Sequence, residues 1–220
     1  MIVFAAAAAA IGLLVSLVLW AHLRRLKRAE FIRSYPLPAG LFERLDKVRP
    51  GLDLKSKQLI ARALRKFFLA HLASGCRFVS MPSQAVDELW HEFILYTRHY
   101  EAFCKQAFGR FLHHTPAVVL GPHRQNNEGL RRTWWYCCRE ENIDPRKPTR
   151  LPLLFALDAK LGVVNGFHYA PDCEKLHRNG SGTVHCGGDF SSSDIDGSTD
   201  GFGDGSGDGG GDGGGCGGGD

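Results

Sequence analysis

Residues 2–21 lack any charged side chain, and residues 187–220 lack lysine and arginine. The first absence argues against a core helix of a small soluble domain, because such a helix usually keeps one polar face toward water. The second leaves eight aspartates unopposed, so the formal charge of the remaining chain rises from +4 to +12. A basic body can attract anionic lipid or nucleic acid, or dock its own acidic end, and charge alone does not choose among these.

The sequence also lacks the cysteine pattern of a disulfide-stabilised fold. Its seven cysteines are odd in number, and they come near each other in sequence at 137/138 and at 173/186. This pattern favours a reducing compartment in which the thiols are buried or bound to metal. The sequence contains no P-loop, dinucleotide-binding, serine-hydrolase or His-Glu-x-x-His motif. The common catalytic templates are therefore unsupported.

Residues 2–21 predict a transmembrane helix, because twenty apolar residues at 1.5 Å per residue span the ~30 Å hydrocarbon core. Basic residues follow this run on its C-terminal side, at Arg24, Arg25, Lys27 and Arg28. The positive-inside rule then places the N-terminus outside and the rest in the cytoplasm. A cleaved signal peptide is the alternative, although a signal peptide carries its positive charge before the apolar run, whereas here the charge follows it. We therefore expect a single-pass protein of the bacterial inner membrane, with residues 2–21 in contact with the lipid bilayer.

The chain divides into an anchor over residues 1–23, a linker, one folded domain and a tail. The linker over 24–40 is basic and ends in a Pro/Gly cluster, and the domain is expected over 41–178. Residues 179–220 are rich in Gly, Ser and Asp and cannot bury enough apolar surface to offset their ordering entropy, which predicts a disordered tail. A domain of ~140 residues is large enough for an apolar core.

Apolar residues recur at helical spacing in four segments, which predicts a mostly α fold built as a small helical bundle. An amphipathic surface helix is expected over 54–72, and one unbroken core helix over about 84–107, between Ser83 and Gly109. Two further helices are expected over 126–141 and 151–161. The basic face of the first helix lacks interleaved aromatic residues, so nucleic acid is an unlikely partner.

Asp87 and His91 are the first chemical candidates, because a spacing of four residues puts them on one face of the predicted helix. A carboxylate beside an imidazole can orient a metal-binding histidine. An ordinary i,i+4 pair worth ~0.2–0.5 kcal/mol is the alternative. His113 or His114 can complete a site for zinc or another divalent ion only if the helix ends early, because the return segment reaches ~20 Å whereas ~24 Å is needed.

A second candidate cluster has the spacing C-x3-H-x7-H-C and consists of Cys173, His177, His185 and Cys186. These residue types suit tetrahedral zinc, although the spacing matches no standard zinc finger. A closed structural site here would fasten the end of the domain before the tail. Ordinary loop residues are the alternative. The vicinal cysteines 137 and 138 are expected to be packed in the core beside two tryptophans.

One block of the sequence has a V-D-x-x-W-H core followed by aromatic, cysteine, glycine and histidine positions: Val86-Asp87-Glu88-Leu89-Trp90-His91, Tyr100, Phe103-Cys104, Phe108-Gly109 and His113-His114-Thr115-Pro116. This block resembles the glycine-rich domain-containing protein family of plants and bacteria. The resemblance covers about residues 54–120 and implies a domain without an established reaction. Family members often show a second histidine soon after Trp-His, and Phe93 stands at that place here.

Two functions compete on these observations. The first is a single-pass membrane protein that presents a cytoplasmic interaction or scaffold domain to a protein partner. The second is a zinc-binding protein or a metal-dependent hydrolase that uses Asp87 and His91 with His113 or His114. No complete catalytic set is present, so we assign no catalytic residue.

Overall fold

A computed structural model describes residues 2–114, 128–171 and 185–186. Within these residues the chain is mostly α-helical, as the apolar periodicity predicts. Nine elements follow one another in chain order: α1 (Ile2–Ser34), α2 (Leu41–Val48), α3 (Leu54–Ala73), α4 (Gln84–Ile94), α5 (Thr97–Ala107), α6 (Glu128–Glu140), α7 (Leu153–Leu161), β1 (Tyr169–Ala170) and β2 (His185–Cys186). Apart from β2, the tail predicted over 179–220 lies outside the described residues.

α1 is the one helix among the described residues that is long and apolar enough to cross a membrane. Its candidate span, Ala9–Ser34, has a mean hydropathy of 1.5, and none of its apolar window is buried in the protein. Apolar side chains on every side of an uncovered helix need another apolar environment. By length and composition, α1 is therefore compatible with a membrane anchor or a signal sequence.

The basic end of α1 packs against the domain, which differs from the linker expected over 24–40. Ile32 is fully buried, and the rings of Phe31 and Tyr35 lie 5.8 and 4.8 Å from the ring of Phe103. No proline or glycine interrupts this part of α1, so the helix continues to Ser34 and keeps Phe31 and Ile32 on the domain-facing side. The folded body therefore begins inside α1.

α3 is the central helix, although its charge pattern predicts a surface position. It packs against α1, α4, α6 and α7. Ten of its residues are buried, and these include the whole run 67–72. That run is apolar on nearly every side, and a helix of this kind is stable only when other elements cover it. Arg62 in the first half remains exposed, which explains why the charges alone indicated a surface helix.

The single core helix predicted over 84–107 is wrong, because the chain breaks into α4 and α5 at Leu95 and Tyr96. Tyr96 has φ −82° and ψ 60°, and its hydroxyl donates to the carbonyl of Ala39 at 3.2 Å. The break contains neither proline nor glycine, and apolar spacing continues across it. Contacts with other parts of the fold therefore determine where α4 ends and α5 begins.

α6 and α7 pack on α3 and on each other. The buried ring of Trp134 lies edge-on to Phe155 at 5.0 Å, and its Nε1–H donates to the carbonyl of Pro145 at 3.1 Å. Cys137 and Cys138 are buried beside it, as expected. Burial raises the pKa of the Cys138 thiol to about 12, which fits a packing role.

Candidate metal centre

Asp87 and His91 lie on one face of α4, as their spacing predicts. His91 Nδ1 is 3.7 Å from Asp87 Oδ2. The carboxylate side chain is 13% exposed, whereas the imidazole is 50% exposed. The pair therefore has one covered side and one side open to solvent.

His114 joins this pair although 27 residues separate it from Asp87. Its Nε2–H donates to Asp87 Oδ1 at 2.8 Å, and its ring centre lies 4.1 Å from that of His91. One ligand atom from each of the three residues lies within 4.8 Å of the other two. The structure thus brings together three of the four residues predicted for this site.

The chain returns to α4 through a turn at Gly109. Its φ of +78° is one that side chains other than glycine rarely adopt. Beyond the turn, Leu112 is buried, and its carbonyl accepts a hydrogen bond from Tyr100 Oη at 2.6 Å. Because α4 ends at Ile94, the return segment does not have to span a straight helix over 84–107.

Trp90 and Tyr100 hold the return segment from the core side. Trp90 Nε1–H donates to Tyr100 Oη at 3.1 Å, and Tyr100 donates onward to Leu112. The Trp90 ring also meets the His114 ring in a T-shaped contact at 4.5 Å. Burial raises the pKa of the Tyr100 hydroxyl, so this group remains protonated and keeps donating. The chain of hydrogen bonds therefore positions His114.

Three other polar side chains of residues 98–113 lie outside this cluster, among them His113, the fourth residue predicted for the site. His113 is exposed and its ring lies 4.9 Å from the ring of Phe111. Cys104 is fully buried, and burial raises the pKa of its thiol. Arg98 belongs to α5, beyond the break, and so does not share a helix with Asp87 and His91. None of these side chains belongs to the group of three.

The two glutamates of α4 face α2 instead of the cluster. Glu88 accepts two hydrogen bonds from the guanidinium of Arg49, both at 2.7 Å. Glu92 pairs with Arg44. A bidentate arginine–carboxylate contact is among the stronger polar contacts in proteins. These pairs hold α4 against α2 and engage both carboxylates away from the candidate metal ligands.

Asp158 of α7 fixes the start of α4, and sequence reasoning missed it. This aspartate is 1% exposed. It accepts hydrogen bonds from Ser83 Oγ at 2.6 Å and from the backbone N–H of Gln84 at 2.7 Å. A carboxylate at a helix N-terminus satisfies unpaired N–H groups and interacts favourably with the helix dipole. Its partner Ser83 is 75 residues away, so no sequence spacing could have revealed the contact.

The second predicted cluster is described only in part. His185 and Cys186 form β2, which pairs in parallel with β1 in the register Tyr169 to His185. Cys173 and His177 lie outside the described residues. The four-ligand zinc site therefore stays a prediction.

The family model described as UCP032817-like matches residues 27–190, which is most of the chain. The match begins inside α1, in agreement with the burial of Ile32. It also spans all three residues of the candidate metal centre. Neither a curated protein nor a solved structure matches the chain.

Proposed function

The chain belongs to the UCP032817-like family, whose description names no reaction, and we propose that it binds one divalent metal ion through Asp87, His91 and His114 beside a membrane. Zinc is the first candidate, because imidazole nitrogen and carboxylate oxygen are among its usual ligands. One observation carries the proposal. Ligand atoms from two separate segments of the chain lie within 4.8 Å of one another.

The separations between these atoms suit a shared ion. Two ligands that each lie ~2.1 Å from a tetrahedral ion are ~3.4 Å apart. The Asp87–His114 and Asp87–His91 separations, at 2.8 and 3.7 Å, lie on either side of that value. The two contacts use different oxygens of the Asp87 carboxylate, and all three ligand atoms lie within 4.8 Å of one another, so side-chain rotations would have to bring them to one ion. An ordinary i,i+4 ion pair would not require His114 to converge on it.

A metal ion would replace the proton that lies between His114 and Asp87. His114 Nε2 now donates its hydrogen to the carboxylate, whereas a coordinating nitrogen must offer its lone pair. Binding of an ion through Nε2 would therefore require the His114 tautomer that carries its hydrogen on Nδ1. Trp90 packs against the same ring and keeps it near the site in both states.

Three protein ligands leave a fourth coordination position for water. Catalytic zinc sites share this arrangement, and the ion lowers the pKa of its bound water to ~7. Metal-dependent hydrolysis is therefore the second candidate function, supported by the half-exposed imidazole of His91. Two histidines and one carboxylate also suit iron(II), so the identity of the bound metal separates hydrolytic from redox chemistry.

The test is the metal content of the full chain, purified in detergent without a polyhistidine tag. Cys173→Ser and Cys186→Ser in the background remove the other predicted zinc site. After loading and dialysis, this protein should retain about one equivalent of zinc, and His114→Ala should lose it. His99→Ala is the matched control, because His99 is an exposed histidine outside the cluster. Retention below about a tenth of an equivalent, or equal retention in the two histidine variants, would contradict the proposal.

We place this domain on the cytoplasmic side of a bacterial inner membrane. The support is an uncovered apolar helix with basic residues after its apolar part. A signal sequence fits the same helix, and the mass of the mature chain distinguishes the two. A chain that keeps α1 and resists carbonate extraction supports the anchor, whereas a mature chain without α1 contradicts it.

The scaffold role and the kinship with glycine-rich domain-containing proteins stay proposals. The V-D-x-x-W-H core over 86–91 supports the kinship. The lack of a complete catalytic set beside the candidate anchor is the motivation for the scaffold role. A pull-down from membranes that captures no specific protein would count against the scaffold role.

A further inference from the structure

A cavity of about 370 Å³ lies where the basic end of α1 meets the ends of α3 and α5. We call it the junction pocket, and its lining includes Trp20, Arg24, Arg25, Arg28, Cys76 and Arg110. We propose that the junction pocket binds the phosphodiester headgroup of an anionic membrane lipid. This inference rests on the proposed membrane anchor and is independent of the metal centre.

The charge of the junction pocket is unbalanced. Four guanidinium groups line it, and no carboxylate is among its lining residues. In the described part of the chain, none of the four forms an ion pair with an acidic side chain. The adjacent cavity differs, because it contains Glu140, which pairs with Arg33 at 2.9 Å. An anion is therefore the ligand that this pocket favours.

Two of the arginines are held in place by backbone carbonyls. Arg110 donates through Nη2 to the carbonyls of Gly75 and Cys76. Arg25 donates through Nη2 to the carbonyl of Ala73 at 2.7 Å. A guanidinium has five N–H donors in a rigid fork, so these contacts orient the group and leave further donors for phosphate oxygens.

The pocket lies at the depth of lipid headgroups. The apolar run ends at residue 21, and Arg24 and Arg28 follow ~4.5 and ~10 Å further along the helix. The polar layer of a bilayer extends ~5–8 Å beyond each side of the hydrocarbon core. Trp20, whose ring centre is 5.1 Å from the Arg24 guanidinium, occupies the place of an interfacial aromatic residue. Arg24 therefore lies within this layer, and Arg28 begins just beyond it, where its long side chain can still reach a lipid phosphate.

The apolar part of the lining favours a lipid over free phosphate. Leu72 and Phe108 contribute to the pocket wall together with Ala21 of α1. A phosphodiester headgroup has a glycerol carbon chain beside its phosphate, and these carbons can contact the apolar wall. Inorganic phosphate offers no such group.

The test uses the full-length protein in nanodiscs of phosphatidylcholine and phosphatidylglycerol in equal parts. Native mass spectrometry then counts the lipids that each protein retains. Wild-type protein should retain phosphatidylglycerol in preference to phosphatidylcholine. The triple variant R24Q/R28Q/R110Q should lose this preference, because the ratio of bound phosphatidylglycerol to phosphatidylcholine should fall about fivefold for each arginine removed. The matched control R62Q/R98Q removes two exposed arginines elsewhere and should retain it.

Equal retention of the two lipids by wild-type protein, or an equal loss in the control variant, overturns the pocket. If circular dichroism shows that the triple variant is misfolded, the single variant R24Q replaces it, because the Arg24 side chain is not buried within the protein. A lysine triple variant keeps the charge and should keep part of the preference.

Two further experiments distinguish binding of soluble phosphate and loss of the membrane anchor from failure of the junction pocket itself. Millimolar inorganic phosphate, added in detergent without lipid, should leave the Tm unchanged, and a rise that the triple variant abolishes would assign the pocket to soluble phosphate instead. Carbonate extraction tests the anchor by itself. Wild-type protein that stays in the membrane but shows no lipid preference overturns the junction pocket alone.

Discussion

His114 Nε2 lies 2.8 Å from Asp87 Oδ1, although α4, α5 and a glycine turn separate the two residues along the chain. Their convergence has three causes outside the cluster. α4 ends early, Gly109 allows the chain to turn, and Tyr100 holds the return segment at Leu112. Substitutions at these positions should therefore alter the site without removing a ligand.

Tyr100→Phe should weaken both the fold and metal binding. It removes the donor to the Leu112 carbonyl and the acceptor of Trp90 Nε1–H, which leaves two buried polar groups unpaired. We expect a loss of ~1–3 kcal/mol in the free energy of unfolding, together with weaker zinc binding in a titration. Tyr136→Phe, a partly buried tyrosine of α6, is the control. Unchanged zinc affinity in Tyr100→Phe would contradict its positioning role.

Asp158→Asn should destabilise the start of α4. The amide keeps the shape of the carboxylate but loses its charge and one accepting oxygen, while the buried donors of Ser83 and Gln84 remain. The expected loss is ~1.5–3 kcal/mol, measured by chemical denaturation. Asp144→Asn replaces an exposed aspartate and should change stability little. Equal stability of the two variants would show that Asp158 does not fasten α4 to α7.

Gly109→Ala should disturb the return segment more than Gly51→Ala disturbs its own turn. Both glycines have positive φ, so each alanine costs ~1–2 kcal/mol in backbone strain. At Gly109 the new Cβ would also lie 2.7 Å from Arg28 Nη2, the end of a flexible side chain that can move away, whereas at Gly51 nothing lies within 4 Å. Because Gly109 lies in the segment that leads to His114 and Gly51 does not, we expect weaker zinc binding in Gly109→Ala alone. A matching loss in Gly51→Ala would indicate a general effect of stability.

His71 should make the fold less stable in mild acid. Burial lowers its pKa from 6.5 to about 4, with Arg110 as a further lowering cause. Between these pH values the unfolded chain binds a proton that the folded chain does not, so stability falls as pH falls from 6.5 toward 4. The full effect is at most ~3 kcal/mol, and none is present above the unfolded pKa. Tm against pH should therefore be flatter for His71→Gln than for wild type, and parallel curves would contradict this.

Local pattern located the helices, but it did not reveal how they pack. The sequence predicts a helix over 54–72 and the structure has α3 at Leu54–Ala73, because the apolar period of a helix is read from adjacent residues. Its central position was missed, since burial depends on the four helices that cover it. The break at Tyr96 was missed for a related reason. No local residue marks it, and the hydroxyl contact with Ala39 is made across the fold.

The candidate metal centre also combines a local spacing that the sequence reveals with packing that it does not. The spacing of Asp87 and His91 indicates one helix face, whereas the sequence does not distinguish His113 from His114 as the third ligand. The structure explains the choice, because successive side chains of an extended segment point to opposite sides. Leu112 and His114 face inward, and Phe111 and His113 face solvent. The sequence alone could not reveal which of the two sides meets α4.

X-ray absorption spectroscopy of the zinc-loaded full chain tests the central claim most directly. The account predicts a first shell of nitrogen and oxygen at ~2.0–2.2 Å, with the scattering pattern of two imidazoles, and its loss in His114→Ala. A shell dominated by sulfur at ~2.3 Å, or a spectrum that His114→Ala leaves unchanged, would place the metal elsewhere and contradict the account.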